Sequence, residues 1–236
     1  MSIAPNAILC LHGYLQNANT MEHLCSKLSS TNNDVEFIHV DAPFTITSEE
    51  VNEFVNAFAL KNGINDEESK KTLLRAWKPE VGDAKTWWKM DEYSFNYAGF
   101  EETILYLKSV LENQGPFVGI LGFSQGATLA SLVTSILENP DLFVTKINHP
   151  KLKFSLLFSG LKSRDQKHLK FYQNTIQSPS LHVLGNFDST VDNSQSMDLT
   201  KCYQYPEILR FDGGHEIPDS TDALFSIQKF INENLQ

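Results

Sequence analysis

Short apolar runs alternate with segments of helical periodicity along most of this chain. Ala7–Leu11 and residues 35–40 are apolar runs of strand length, and residues 20–30 between them carry apolar side chains at near-helical spacing. Later predicted elements are a helix over 98–114, a strand over 117–123, a helix over 125–137, strands over 153–158, 180–184 and 207–211, and a helix over Thr221–Leu235. This alternation predicts an α/β fold whose mainly parallel sheet is covered by helices on both faces.

Two segments interrupt the alternation. Residues 138–150 hold two prolines and are predicted to be a surface excursion, and residues 44–97 combine helical fragments with an aromatic group. The members of that group are Trp77, Trp87, Trp88, Tyr93, Phe95 and Tyr97. They fit either the wall of an acyl pocket or a hydrophobic anchor for the excursion. Since no repeat or linker divides the chain, we expect one domain over residues 1–236.

Composition narrows the class of protein. A chain of 236 residues with 41% hydrophobic and 20% charged residues is typical of a globular domain with one core. The formal charge of −10 disfavours nucleic acid and anionic membranes as partners. The apolar runs are much shorter than the roughly 20 residues that span a bilayer, so no integral membrane segment is expected. The N-terminus has no basic residue before its first apolar run, which favours a cytoplasmic location.

The sequence GFSQG at 122–126 suggests catalysis by a nucleophilic serine. Its pattern G-x-S-x-G places a serine on a strained turn between a strand and a helix, so that the hydroxyl projects from the carboxyl edge of the sheet. The apolar run before Ser124 and the helix-forming stretch after it provide this context. Ser124 is therefore the candidate nucleophile.

A serine hydroxyl needs a base, and the base needs an acid that orients it. Asp188 and His215 each follow a late predicted strand, which gives the order Ser, Asp, His found in α/β hydrolases. Asp192 is an alternative acid, although the polar residues after it indicate that it begins a helix. His12 is better placed to hold its loop by hydrogen bonds than to act as a base, and His182 alternates with apolar neighbours as a structural residue does.

An oxyanion hole needs two backbone donors. The N–H of Gln125 directly follows the nucleophile, and the loop after the first strand supplies the second candidate, the N–H of Tyr14. The three cysteines, Cys10, Cys25 and Cys202, are odd in number and lack metal-ligand spacing. We therefore expect reduced thiols and no metal or organic cofactor.

Several motifs in this order resemble the fungal family of serine hydrolases (FSH), which is related to the human ovarian-cancer-associated serine hydrolase. The motifs are LHGYLQN, DAP, RAW, WW before SFNYAGFEET, NQGPF-x-G-I-x-GFSQG, SLHVLGNFD and GGHEIP. The resemblance covers residues 9–218 and implies an α/β-hydrolase fold and esterase activity on acyl esters. It also implies a triad of Ser124, Asp188 and His215. The residue after that histidine is usually small or apolar in the family, whereas this chain has Glu216.

These observations predict a serine carboxylesterase that acts on a small-molecule acyl ester through an acyl-enzyme. Two alternatives stay open at this point: an acyl-protein or acyl-CoA thioesterase with the same triad, and a hydrolase-fold binding module without turnover.

Overall fold

Six parallel strands form the central sheet of the computed structural model, which describes residues 6–32, 34–77, 79–90 and 95–236. In chain order the strands are β1 (Ala7–Leu11), β2 (Glu36–Val40), β3 (Phe44–Thr45), β4 (Lys85–Thr86), β5 (Lys89–Met90), β6 (Tyr97–Ala98), β7 (Gly119–Phe123), β8 (Phe154–Phe158), β9 (Ser180–Gly185) and β10 (Pro206–Phe211). The α-helices are α1 (Ala18–Ser30), α2 (Ser48–Lys61), α3 (Glu67–Trp77), α4 (Phe100–Gln114), α5 (Gln125–Glu138), α6 (Asn193–Thr200) and α7 (Thr221–Leu235). The α/β class predicted from the sequence is confirmed.

The strand order of the sheet is β2-β1-β7-β8-β9-β10. The chain builds outward from β1 to β2 on one side and then from β7 to β10 on the other, with every neighbouring pair parallel. The order therefore reverses between β1 and β7. The carboxyl edge at such a reversal is where open α/β sheets bind their ligands, because the two loops leaving it diverge and leave a crevice. GFSQG lies at the end of β7, one side of this crevice.

The core consists of two apolar layers, one on each face of the sheet. Along β1, Ala7, Leu9 and Leu11 pack toward α4 and α5, whereas Ile8 and Cys10 pack toward α1 and α7. All five of these residues are fully buried. This arrangement explains why the central strands read as continuous apolar runs, since both of their faces are covered.

Capping side chains fix where several helices begin. Asn17 and Ser220 accept hydrogen bonds from the first turns of α1 and α7, and Thr47 forms a reciprocal capping box with Glu50 at α2. The helix predicted over 98–114 begins two residues later, at Phe100, because Gly99 has a left-handed φ of 91°.

The excursion at residues 44–97 is tied to itself by two short ladders and is held to the main sheet by hydrogen bonds. Strand β3 pairs with β4 and β5 pairs with β6, both antiparallel. Trp87 is fully buried, and its indole Nε1 donates to the carbonyl of His12 at 2.8 Å. Because His12 directly follows β1, this bond holds the excursion against the carboxyl edge of the sheet.

Candidate active site

Ser124 occupies a strained turn between β7 and α5. Its φ of 54° and ψ of −115° lie in a region that residues with a side chain rarely adopt. The turn is fixed from both sides: the N–H of Ser124 donates to the carbonyl of Phe158 at 2.9 Å, and its carbonyl accepts from the N–H groups of Ala127 and Thr128. The surrounding hydrogen bonds therefore hold this serine at the sheet edge in a strained backbone conformation, which is typical of a functional residue.

The two glycines of GFSQG are required by close backbone approach. A Cβ at Gly122 would lie 2.3 Å from the carbonyl oxygen of Gly126. A Cβ at Gly126 would lie 2.1 Å from the carbonyl oxygen of Leu11. Both distances are far inside van der Waals contact, so β7, α5 and the end of β1 can meet at this turn only without these side chains.

Asp188 and His215 are hydrogen-bonded to each other at the same edge of the sheet. Nδ1 of His215 lies 2.8 Å from Oδ2 of Asp188, while Oδ1 of Asp188 accepts from the backbone N–H groups of Thr190 and Val191, each at 2.9 Å. The Asp188 side chain is 3% exposed and that of His215 is 18% exposed. The carboxylate is therefore held in one orientation, in which Oδ1 accepts from the backbone and Oδ2 is hydrogen-bonded to the imidazole.

The electrostatics of Asp188 favour its ionised form. Burial is the largest influence and raises the pKa of the carboxyl, but the hydrogen bond and charge of His215 oppose it. Together with the amides of Val191 and Thr190, they hold this pKa below its usual value. A carboxylate that stays ionised can stabilise a positive charge that develops on the imidazole.

The loops that carry Asp188 and His215 are packed against each other. The N–H of Phe187 donates to the carbonyl of Gly213 at 2.9 Å, and a Cβ at Gly185 would lie 2.1 Å from the carbonyl oxygen of Gly214. This contact explains why the chain has glycine at the end of β9. The spacing of 27 residues between the acid and the base is bridged by these two adjacent loops.

Ser124 and His215 line one cleft, which has two lobes. The histidine lobe has a volume of about 270 Å³ and is lined by Gly13, Phe123, His215 and Glu216 among others. The aromatic lobe has a volume of about 240 Å³, and its apolar lining consists of Tyr14, Phe54, Trp88, Tyr97, Leu161 and Val191. Ser124 and Tyr14 line both lobes. A substrate centred on Ser124 would therefore extend in two directions.

The aromatic group seen in the sequence divides into an anchor of the excursion and a wall of the cleft; that the cleft holds an acyl group remains a prediction. Trp87 anchors the excursion, whereas Trp88 and Tyr97 form a wall of the aromatic lobe, with their rings stacked 4.6 Å apart at 7°. Tyr93 and the side chain of Trp77 lie outside the described residues. The wall and the anchor are neighbouring residues, so the same segment fixes itself and shapes the lobe.

The other acidic and imidazole candidates are engaged in structural hydrogen bonds. Asp192 caps α6 by accepting from the N–H of Ser194, and not from His215. His12 is buried, which lowers its pKa to about 4; its Nε2 accepts from the N–H of Ala42, so Nδ1 carries the proton toward the carbonyl of Gly13. Burial likewise lowers the pKa of His182 to about 3. Both imidazoles are neutral near pH 7, and His12 holds the loop that contains Tyr14.

The two residues predicted to supply oxyanion donors, Tyr14 and Gln125, line the aromatic lobe together with Ser124. In the loop after β1, the amides of Gly13 and Leu15 are bonded to Gln16 and Lys85, and Tyr14 lines the cleft next to Ser124. Gln125 begins α5, where first-turn N–H groups have no acceptor within the helix and carry its positive dipole end. Their assignment as donors to an oxyanion remains a prediction.

The side chain of Gln125 has a structural role that sequence reasoning missed. Its Oε1 accepts from the N–H of Trp87 at 3.1 Å, and its Nε2 donates to the carbonyl of Trp88 at 3.1 Å and to Oγ1 of Thr86 at 3.0 Å. The residue next to Ser124 therefore holds the excursion in place. In the sequence, the only hint of this role is that a polar residue stands between Ser124 and a buried helix. That hint does not reveal hydrogen-bond partners almost forty residues away.

Within the described ranges, no three or more His, Cys, Asp or Glu side chains are clustered so that they could hold a metal ion. Nor does any described helix have the length and apolarity needed to cross a membrane.

Comparison with known proteins shows that the chain is similar to hydrolases. The family described as "Serine hydrolase (FSH1)" matches residues 1–227. The chain is 31% identical to Esterase OVCA2 of Danio rerio over 98% of both chains. It is 36% identical to Family of serine hydrolases 3 of Saccharomyces cerevisiae, over 61% of this chain and 55% of that protein.

Solved structures agree at the level of the fold. Esterase PE8 is 18% identical, with a TM-score of 0.64, over 98% of this chain and 93% of that one. Acyl-protein thioesterase 2 of Zea mays is 15% identical, with a TM-score of 0.62, over 100% of this chain and 96% of that one. These neighbours are α/β hydrolases, which confirms the α/β-hydrolase fold expected from the sequence.

Proposed function

This chain belongs to the serine hydrolase (FSH1) family, and from that membership and the geometry of its cleft we propose that it hydrolyses carboxylic acyl esters through an acyl-enzyme. The observation that carries the proposal is the hydrogen bond of 2.8 Å between His215 and Asp188 in a cleft that Ser124 also lines. Because Nδ1 of His215 is bonded to the carboxylate, Nε2 is the nitrogen that can accept a proton.

In the first half of the reaction, Nε2 of His215 removes the proton from Oγ of Ser124, and Oγ attacks the ester carbonyl. The N–H groups of Tyr14 and Gln125 stabilise the negative charge on the carbonyl oxygen. The imidazolium, stabilised by Asp188, then gives its proton to the departing alcohol oxygen. In the second half, water repeats the attack on the acyl-enzyme and releases the acid.

The position of His215 supports a proposal for which part of the substrate each lobe holds. The imidazole must reach the leaving oxygen to protonate it, so the leaving group lies on the side of the base. His215 lines the histidine lobe and is not among the residues of the aromatic lobe. We therefore assign the leaving group to the histidine lobe and the acyl chain to the aromatic lobe, whose lining is mainly apolar.

Glu216 favours an oxygen ester with a neutral leaving group over an acyl-CoA. It is exposed and lines the histidine lobe next to His215. The phosphates of CoA would meet a like charge on this side. The likeness to a maize acyl-protein thioesterase shows a shared fold, and it keeps a thioester of an uncharged thiol as the second candidate.

We expect phenyl butyrate to be hydrolysed with a kcat/KM at least about tenfold above that for butyryl-CoA, because the phosphates of CoA are repelled by Glu216. The acyl group is the same in both substrates, so the comparison isolates the leaving group. Replacing Glu216 by Gln should raise kcat/KM for butyryl-CoA about fivefold, the magnitude of one exposed charge interaction. S-phenyl thiobutyrate, which is uncharged, separates the effect of sulfur from that of charge. A preference for both thioesters over phenyl butyrate would contradict the ester assignment.

A cytoplasmic location is part of this proposal. The cysteines Cys10, Cys25 and Cys202 are all buried and unpaired. Free thiols are typical of a reducing compartment, whereas secreted domains usually join theirs in disulfides.

A further inference from the structure

The two residues between β4 and β5, Trp87 and Trp88, are held by side chains and not by a strand ladder. Strand β4 pairs with β3 and β5 pairs with β6, but neither ladder includes these two residues. The carbonyl of Trp87 accepts from Oγ1 of Thr103, and its N–H donates to Oε1 of Gln125 at 3.1 Å. The carbonyl of Trp88 accepts from Nε2 of Gln125 at 3.1 Å and from Oγ1 of Thr86 at 2.6 Å. Side chains of α4, α5 and β4 therefore position the backbone of both tryptophans.

The orientation of the Gln125 amide is fixed by its partners. The backbone N–H of Trp87 can only donate, so it faces Oε1, and the carbonyl of Trp88 can only accept, so it faces Nε2. The hydroxyl of Thr86 has one proton, which is given to the carbonyl of Trp88, and its oxygen accepts from Nε2 at 3.0 Å. The side chain at position 125 must therefore both donate and accept, which neither a carboxylate nor an apolar side chain can do.

The ring of Trp88 is the part of this segment that meets the cleft. It is buried, it stacks on Tyr97 with 4.6 Å between the ring centres, and it contacts the edge of Phe100 at 6.4 Å. Trp88 and Gln125 line the aromatic lobe together with Ser124. The residue that follows Ser124 is thus linked to the apolar wall of this lobe by the hydrogen bonds of one side chain.

We propose that the side chain of Gln125 is a positioning residue that sets acyl-chain specificity by holding Trp88 in the wall of the aromatic lobe. This inference rests on the ester hydrolysis and on the placement of the acyl chain proposed above. It gives Gln125 two separate roles. The backbone N–H, as the proposed oxyanion donor, acts on every ester alike, whereas the side chain acts only on acyl groups long enough to reach Trp88.

The test compares 4-nitrophenyl hexanoate with 4-nitrophenyl acetate, which share a leaving group and differ by four methylene groups in the acyl chain. The readout is the ratio of kcat/KM for the hexanoate to kcat/KM for the acetate. A change in the nucleophile, the base or the oxyanion donors affects both rates and cancels in this ratio. The ratio is expected to exceed one in the wild type, because the added methylene groups are buried against an apolar wall.

Gln125→Glu is expected to lower the ratio about tenfold, which corresponds to the lost burial of roughly two methylene groups. The introduced carboxylate can accept from the N–H of Trp87, but it has no proton to give to the carbonyl of Trp88. Its oxygen and that carbonyl oxygen repel each other, so the backbone of Trp88 is displaced and its ring leaves the wall. Gln173→Glu is the matched control, because it adds the same charge at an exposed position that lines neither lobe. Both of its rates should equal those of the wild type.

Variants of Thr86 test the same wall without changing Gln125. Thr86→Val removes the second donor to the carbonyl of Trp88 and should also lower the ratio, whereas Thr86→Ser keeps the hydroxyl and should retain the wild-type ratio. This rescue separates the hydrogen bond from a general effect of changing a buried residue. If Gln125→Glu does not fold, the comparison of the two Thr86 variants decides the question alone.

An equal loss of both rates in folded Gln125→Glu would overturn this inference, because the side chain would then act on the reacting centre and not on the acyl chain. A ratio that stays at the wild-type value in either Gln125→Glu or Thr86→Val, or a wild-type ratio below one, would overturn it as well. The proposed ester hydrolysis would survive all of these outcomes. It fails only if the acetate and the hexanoate are hydrolysed equally fast by the wild type and by Ser124→Ala.

Discussion

Replacing Ser124 by alanine is expected to lower kcat for a 4-nitrophenyl ester by about 10⁴- to 10⁶-fold, with little change in folding. In the proposed reaction the hydroxyl forms the covalent bond to the acyl group, so its loss removes the acyl-enzyme route and leaves only substrate binding and oxyanion stabilisation. The remaining backbone contacts of the turn are made by main-chain atoms, which alanine keeps. The measurement is the initial rate at saturating ester, with circular dichroism as the check on folding.

Ser159 provides a matched control within the same sheet. It follows β8 as Ser124 follows β7, it has a left-handed φ of 48°, and its buried hydroxyl has no hydrogen-bond partner among the described residues. Ser159→Ala therefore makes the same chemical change at a similarly strained position that does not line the cleft. We expect near-normal turnover for this variant. Loss of activity in both variants would indicate that the strained turns matter for structure and that Ser124 has no special chemistry.

Replacing Asp188 by asparagine is expected to lower kcat by about 10⁴-fold through the imidazole tautomer. The backbone N–H groups of Thr190 and Val191 both donate to Oδ1, so the amide oxygen of the asparagine should occupy that position. The amide nitrogen then faces Nδ1 of His215, where it can only donate. The imidazole is forced to carry its proton on Nε2, which can no longer accept the proton of Ser124.

The pH profile and a second variant test this explanation. If the tautomer is the cause, turnover by Asp188→Asn should recover at high pH, where hydroxide can replace the lost general base. Asp192→Asn is the control, because asparagine caps a helix nearly as well as aspartate and Asp192 accepts from Ser194. That variant should retain full activity. Equal losses in the two variants would contradict the assignment of Asp188 as the acid.

Local pattern was sufficient to predict most of the fold. The apolar runs that became β1, β7, β8 and β9 are buried on both faces, so their sequence carries a strong and continuous signal. The positions of Asp188 and His215 also followed from the sequence, because parallel strands present their carboxyl ends at one edge. To predict that these two residues lie at the same edge, only the order of strands and helices along the chain was needed.

Side-chain contacts between distant segments could not be predicted in this way. The bonds from Gln125 to the backbone of Trp87 and Trp88 join segments almost forty residues apart, and the bonds between Tyr97 and the segment around Asp165 join segments nearly seventy apart. No periodicity encodes such pairings, since they depend on how the excursion folds over the sheet.

The most direct test of the central claim, that Ser124 is an activated nucleophile, is covalent labelling by a fluorophosphonate followed by peptide mass spectrometry. An activated serine reacts with such probes at a useful rate, whereas an ordinary hydroxyl does not. We predict one adduct per chain, located on Ser124, that forms rapidly in the wild type and very slowly in Asp188→Asn. An unlabelled wild-type protein, or an adduct on another residue, would contradict the account.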